Sequence, residues 1–427
     1  MSMVLVLDSN RVPLDPCHPA RARKLLKAGQ ASVFRRYPFT IIMKTRVIAE
    51  STTHVHRVKV DPGSKTTGIA VVQEGTGRVV WAAELTHRGQ RIRDALLARR
   101  ALRRARRNRK TRYRKPRFDN RRRPDGWLPP SLESRVTNIL TWVRRLAKFC
   151  PVETISLELV KFDTQAMQKP EITGVEYQQG TLAGYEVREY LLEKWGRKCA
   201  YCGAANLPLE IEHMTPRSRG GSDRVSNLTM ACKLCNHEKN DMTVEEYAFF
   251  KGKDFSHIIS KAKLPLKDAA AVNVTRWTLF RRLSNLKLPI ETGSGALTKF
   301  NRIRLDLPKA HWTDAACAGV STPTLKLNGI SPLYIKATGH GNRQLCGTNK
   351  FGFPTRHRER HRSFMGFRTG DIVRATIPNG KFSGTYYGRI AIRQRPSFRL
   401  GKFDVNPKYV TVLHKTDGYE YRHSLAY

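Results

Sequence analysis

Hydrophobic and polar positions alternate in distinct blocks along the chain. Residues 4 to 45 read as a small α/β unit. "MVLVLD" predicts a strand, "HPARARKLLKAG" a short basic helix with Pro19 near its start and Gly29 past its end, and "ASVFRRYPFTIIMK" a return to strand. "HRVKVDPGSKTTGIAVVQ" alternates apolar and polar residues into Asp61, turns at Pro62-Gly63 and resumes as the strand "GIAVV". An amphipathic helix is predicted at 131–149, then the strand "VETISLELVKFD", in which Ile155, Leu157 and Leu159 share one face and Ser156 and Glu158 the other. "AGYEVREYLLEKWG" and residues 268–286 read as helices, and "HWTDAACAG" covers 311–319. Beyond about 325, Gly and aromatic residues punctuate short strands, including a pair joined by Pro-Asn-Gly in "FRTGDIVRATIPNGKFSGTYYGRIAIRQ".

Charge changes the picture. The 427 residues carry 78 Lys plus Arg against 35 Asp plus Glu, a formal +43 with a pI near 10.5. Such a balance concentrates polyanions at the surface and implies a nucleic-acid partner. Its densest stretch is "RGQRIRDALLARRALRRARRNRKTRYRKPRFDNRRR" at 88–123, where 18 basic residues face two acids. Arg100, Arg103, Arg104 and Arg107 recur at helical spacing, and Pro116 ends any helix there. A run this dense repels itself until a polyanion neutralises it, so Arg99, Arg100, Arg103, Arg104, Arg106, Arg107, Arg109 and Lys110 are candidate nucleic-acid contacts. No secretory signal is expected at the N-terminus, and no apolar stretch approaches the roughly 18 residues of a membrane span.

Four of the cysteines sit in two tight pairs, Cys199/Cys202 and Cys232/Cys235. Without an export signal, that spacing reads as a tetrahedral zinc site in a reducing compartment. The 29 residues between the pairs exceed a zinc-ribbon interval. Taken alone, the cysteines fit a plain zinc knuckle with an incidental histidine. The intervening "EIEHMTPRSRGGSDRVSNLTMACKLCNHEKND", with Glu212-His213, Asn227 and Asn236, resembles the HNH nuclease motif, a ββα hairpin carrying one divalent cation. Phosphodiester cleavage needs a water deprotonated near neutral pH and a cation facing the leaving oxygen. The resemblance implies His213 as the base, Glu212 and Asn236 as Mg²⁺ ligands, Asn227 as support for the loop presenting His213, and Zn²⁺ as the staple.

Asp61, Glu158 and Asp314 each lie in or beside an apolar segment, and each alone reads as a surface acid. Together, a strand ending in Asp-x-Gly-x-x-x-x-Gly, a strand with a central Glu, and a helix with His311 and Asp314 at i and i+3 resemble a RuvC-type member of the RNase H fold. That resemblance implies carboxylates converging on two Mg²⁺ ions, with His311 in proton transfer or metal positioning.

The order of these parts is similar to that of the IscB family, transposon-associated relatives of the CRISPR type II effector nucleases. The implied fold is multidomain α+β: an RNase H-like RuvC core split by an arginine-rich bridge helix and a zinc-stabilised ββα HNH insertion, with a β-rich C-terminal domain. Its expected divisions are a PLMP-like N-terminal domain at 1–53, with Asp15 where the name-giving motif has Met, RuvC segments at 54–87, 124–165 and 256–324, the bridge helix at 88–123, linker and HNH at 166–255, and a region contacting RNA and the target-adjacent motif at 325–427. The implied activity is RNA-guided cleavage of double-stranded DNA by a monomeric protein holding a structured guide (omega RNA). HNH would cut the guide-paired strand and RuvC the displaced one, in the cytoplasm and at the nucleoid when bound to DNA. Two other readings use the same residues: an unguided homing or junction-resolving endonuclease, and a catalytically silent RNA-binding scaffold.

Overall fold

The computed structural model describes residues 2–108, 126–159, 183–263, 269–320, 324–327, 329–339, 346–351, 353–357, 361–393 and 397–423. The chain divides into two compact units, Met1–Glu158 with Thr278–Tyr427, and Leu159–Trp277.

The first unit begins with β1 (Val4–Leu7), β2 (Pro13–Cys17), α1 (Pro19–Lys27), β3 (Ala31–Arg35) and β4 (Thr40–Met43), whose strands lie in the order β2-β1-β4-β3. Alternate residues Val4, Val6, Ile41 and Met43 pack on Ala22, Leu25 and Leu26 of α1. Helix α1 starts where it does because Pro19 needs no amide partner and the His18 ring accepts the Ala20 N–H at 3.2 Å.

Next come β5 (His56–Asp61), β6 (Thr66–Gln73), β7 (Arg78–Thr86), α2 (Gly89–Asn108), α3 (Pro130–Phe149) and β8 (Val152–Glu158). The β5–β6 connection is tight at Gly63, where a Cβ would stand 2.0 Å from the Thr66 carbonyl oxygen. The second unit holds α4 (Ala183–Lys194), β9 (Leu209–His213), β10 (Leu228–Cys232), α5 (Lys233–Lys239), α6 (Val244–Lys251) and α7 (Ser256–Lys263). Its core gathers Leu191, Trp195, Leu209, Val225, Met230, Tyr247 and Ile258. Helix α8 (Ala269–Ser284) leads to β11 (Ile290–Gly293), α9 (Gly295–Arg304), α10 (His311–Ala316) and β12 (Leu333–Ala337).

Two short hairpins follow, β13 (Cys346–Thr348) with β14 (Pro354–His357), and β15 (Ser363–Phe364) with β16 (Phe367–Arg368). The strands β17 (Ile372–Ile377), β18 (Gly384–Ala391), β19 (Phe398–Leu400), β20 (Phe403–Val405) and β21 (Val410–His414) form a sheet in the order β20-β19-β18-β17-β21, closed over Val373, Ala375, Ile390, Phe398 and Leu400. Strand β22 (Tyr419–His423) returns to the main sheet.

That main sheet runs β11-β8-β5-β6-β7-β12-β22. Strand β6 is antiparallel to β5 and β7, whereas β8 is parallel to β5 and β11 to β8. The sheet is covered on both faces. Val58, Val60, Ile155 and Leu157 look toward α3, whose Trp142 stacks on Trp81 at 5.9 Å. Ala70, Val72 and Ala82 pack against Trp312, Ala315 and Ala316 of α10. The period-2 pattern of β8 predicts one apolar and one polar face. In the fold both are shielded, and Ser156 and Glu158 are 0% and 8% exposed. Among the described residues no helix is long and apolar enough to cross a membrane.

Candidate active sites

The four paired cysteines meet. Their sulfurs lie within 4.8 Å of one another, and among the described residues they are the set of His, Cys, Asp and Glu that meets this spacing. Cys202 Sγ stands 3.8 Å from Cys232 Sγ. Sulfurs at the corners of a tetrahedron with Zn–S bonds of about 2.3 Å are about 3.8 Å apart, so the thiols fit zinc. Local structure sets the geometry: Cys232 ends β10 and caps α5, placing Cys235 one turn on, while the Cys199 N–H bonds the Ala204 carbonyl in a tight turn.

Strands β9 and β10 pair antiparallel from Leu209↔Cys232 to His213↔Leu228, and α5 follows at once, forming a ββα hairpin. Asn227 closes the loop between the strands. Its Oδ1 accepts the Thr215 N–H at 3.0 Å, and its Nδ2 donates to the carbonyls of Thr215 and Ser222 at 3.0 and 2.9 Å. Gly221 is required beneath this clamp, because a Cβ there would lie 1.7 Å from the Thr215 carbonyl oxygen. The His213 Nε2 bonds Asp223 Oδ1 at 2.7 Å, and Arg217 reaches the same oxygen from Nε at 2.8 Å. These two partners hold the Asp223 carboxyl below the usual carboxylate range.

Glu212 and Asn236 each bond other partners. Glu212 is 4% exposed and spends its oxygens on Lys239 Nζ and the Tyr201 hydroxyl, both at 2.6 Å. Burial pushes its carboxyl up, while the Lys239 and Tyr201 bonds pull it down less strongly. Asn236 instead donates to Glu210 Oε2 at 2.7 Å. Glu210 and Asp223 are site neighbours that the motif reading did not single out. The alternation of "EIEH" puts Glu210 on the same strand face as Glu212, and that is the one signal by which it could have been found.

In the other unit, parallel register sets Val60 beside Leu157, so Asp61 and Glu158 end neighbouring strands. Asp61 lies opposite Gly68, and a Cβ on Gly68 would meet the His311 carbonyl oxygen at 1.8 Å. Residues opposite one another project from the same sheet face, so Asp61 looks toward the helix that carries His311 and Asp314. Asp314 Oδ1 pairs with Arg302 Nε of α9 at 2.7 Å. The segment after α10 is latched to the sheet: Lys59 Nζ donates to the Ala318 carbonyl at 2.8 Å, and Asn301 Nδ2 to those of Cys317 and Gly319 at 3.0 Å. Lys59 is fully buried, which lowers its ammonium to about 8. Arg57 joins Glu74, Glu291 and Ser156 on the same face. Among the described residues, Asp61, Glu158 and Asp314 do not form a set whose ligand oxygens all lie within 4.8 Å of one another, and Asp314 is turned to Arg302.

Arg99, Arg100, Arg103, Arg104, Arg106 and Arg107 project from α2 into solvent, while the helix packs on α3. Arg109 and Lys110 lie outside the described residues.

Residues 4–180 match a family described as RRXRR protein, and residues 199–242 match the HNH endonuclease family. No curated protein matches the chain. Among solved structures, Streptococcus thermophilus Cas9 in complex with the GGAA PAM is 14% identical over 61% of this chain and 32% of that chain, with a TM-score of 0.23. The type II-C Cas9 enzyme from Actinomyces naeslundii is 13% identical over 86% of this chain and 77% of that one, at a TM-score of 0.25. The chain thus spans about a third of the Streptococcus thermophilus protein (32%). The 199–242 match coincides with the thiol-framed ββα hairpin, so the chain carries an HNH endonuclease domain.

Proposed function

We propose that this protein is a metal-dependent, RNA-guided DNA endonuclease of the IscB type. In this reading the HNH domain cuts the guide-paired strand, and a RuvC-type centre built from Asp61, Glu158, His311 and Asp314 cuts the displaced strand. The observation that carries it is the occurrence, in one chain, of an HNH match at 199–242 and of Asp61 and Glu158 at the ends of neighbouring strands, on the sheet face that α10 covers. The exposed arginines of α2 support the RNA half of the reading. A guide and its heteroduplex present dozens of phosphates, while sequence is read by base pairing rather than by side chains. In this reading the segments 54–87, 124–158 and 278–324 belong to one core, the chain between Leu159 and Trp277 forming the separate unit that carries the HNH hairpin, and 325–427 faces RNA and the target-adjacent motif.

In the HNH domain, His213 takes the proton of the attacking water, with Asp223 fixing its ring and Asn227 its loop. Glu212 and Asn236 would supply oxygen ligands for one Mg²⁺, which would ask Glu212 to give up its bond from Lys239 or Tyr201. In the RuvC-type centre, Asp61, Glu158 and Asp314 would hold two Mg²⁺ ions and His311 would move a proton. Mg²⁺ at either centre supplies charge offset for the leaving oxygen and lowers the pKa of water. The four thiols would hold Zn²⁺, which would keep the HNH hairpin closed.

The test uses the purified protein with its copurifying RNA sequenced, then Mg²⁺, a matching guide and supercoiled plasmid. The expected outcome is double-strand cleavage by the wild type and nicks on opposite strands from Glu158→Ala and His213→Ala. Cleavage that survives RNase treatment selects the unguided reading, and two variants nicking the same strand overturn the division of labour.

A further inference from the structure

Glu84, near the end of β7, plays no part in the reading above, yet it lies in the same row of the sheet as the carboxylates. The register runs Gly293↔Glu158, Asp61↔Gly68, Gly68↔Glu84 and Tyr334↔Glu84, with Asp61 beside Glu158. A row across a pleated sheet projects from one face. Two of its members are glycines, and both lie where the segment around α10 settles. A Cβ on Gly68 would stand 1.8 Å from the His311 carbonyl oxygen, and one on Gly293 would stand 2.8 Å from the Gly319 amide nitrogen. The row therefore seats α10 in two side-chain-free gaps, with Glu158 and Asp61 between them and Glu84 at the outer end.

Glu84 makes a specific contact there: its Oε1 accepts the His311 N–H at 3.0 Å. His311 is the first residue of α10, so its amide is one of those that a helix start leaves without an intrahelical partner, and it finds its partner on another strand. Helix α10 has six residues, fewer than two turns, and helices this short do not hold themselves. Its C-terminal end is tied by Lys59 and Asn301. Glu84 ties the other end, where His311 sits.

We infer that Glu84 is a positioning residue for the RuvC-type centre, fixing the N-terminal turn of α10 so that His311 and, one turn on, Asp314 face Asp61 and Glu158. This inference rests on the reading that those residues cut the displaced strand. The experiment measures single-turnover cleavage of each labelled strand of a target duplex by the guide-loaded protein in Mg²⁺, together with duplex affinity, for Glu84→Ala and Glu84→Gln. Asp61→Ala serves as reference. Glu84→Ala is expected to slow displaced-strand cutting at least tenfold, with guide-paired cutting and affinity unchanged. Glu84→Gln, which keeps an acceptor oxygen, is expected to recover most of the rate.

Wild-type cutting by Glu84→Ala overturns the inference. So does Glu84→Gln as slow as Glu84→Ala, because the acceptor is then not what matters. Equal loss of both cuts also overturns it, in favour of a general role in folding. Displaced-strand cutting that persists in Asp61→Ala sinks the underlying reading instead, whatever Glu84 does.

Discussion

The Asp223 carboxylate holds Nε2 of His213, which leaves Nδ1 as the ring nitrogen able to take a proton from water. An amide in its place can donate to Nε2 and so favour the opposite tautomer. Asp223→Asn should therefore slow HNH-strand cutting on the order of 10²-fold, the lower end of what a general base contributes, and leave the other strand untouched. Strand-resolved rates check this, and equal rates for Asp223→Asn and wild type would remove Asp223 from the site. The Glu212–Lys239 pair is a different case, since Lys239 is 0% exposed. Lys239→Met leaves a buried carboxylate without its cation, which costs about 3–5 kcal/mol. Hydrogen exchange at 199–242 in the intact chain should rise accordingly. Protection that stays at the wild-type level would show that Tyr201 alone suffices.

At the scale of elements, the HNH hairpin is small and polar-edged, and its thiols close a loop of 29 intervening residues. Structural zinc contributes folding energy outright, so chelation or Cys199→Ser should unfold the hairpin and abolish HNH cutting. Cutting by the centre on the other unit's sheet should partly survive, because its strands and α10 share no residue with the hairpin. Equal loss of both activities would contradict a modular zinc role. The main sheet shows the opposite economy. Its candidate site draws on segments far apart in the chain, and Glu84 and His311, in direct contact, are 227 residues apart.

At the scale of the whole molecule, the formal +43 governs behaviour more than any single contact does. Changing Arg100, Arg103, Arg104 and Arg107 together to Ala should weaken RNA binding. It should also flatten the dependence of log affinity on log salt by about 0.7–0.9 for each phosphate no longer neutralised. Affinity measured from low to moderate salt decides it, and an unchanged slope would assign those arginines to a solvated surface.

How much of this was legible in the sequence follows from the range of each interaction. The Cys-x-x-Cys pairs, Glu212-His213, Asn227 and the strand ending at Asp61 are local patterns, written within a few turns or strands of chain, which is why they could be picked out as candidates. Strand and helix positions were legible for the same reason, since apolar periodicity reflects the face each element buries. Asp223, Glu210, Arg302, Lys59 and Glu84 carried no such signal. Each matters only through a partner brought to it by a loop clamp, a strand register or a covering helix. The sequence by itself determined which residues could do chemistry and which segments were strands or helices. Only the tertiary structure decided which carboxylates share a row and which histidine nitrogen is held. It also decided that Glu212 is buried on Lys239, because register and burial arise when distant segments exclude water together.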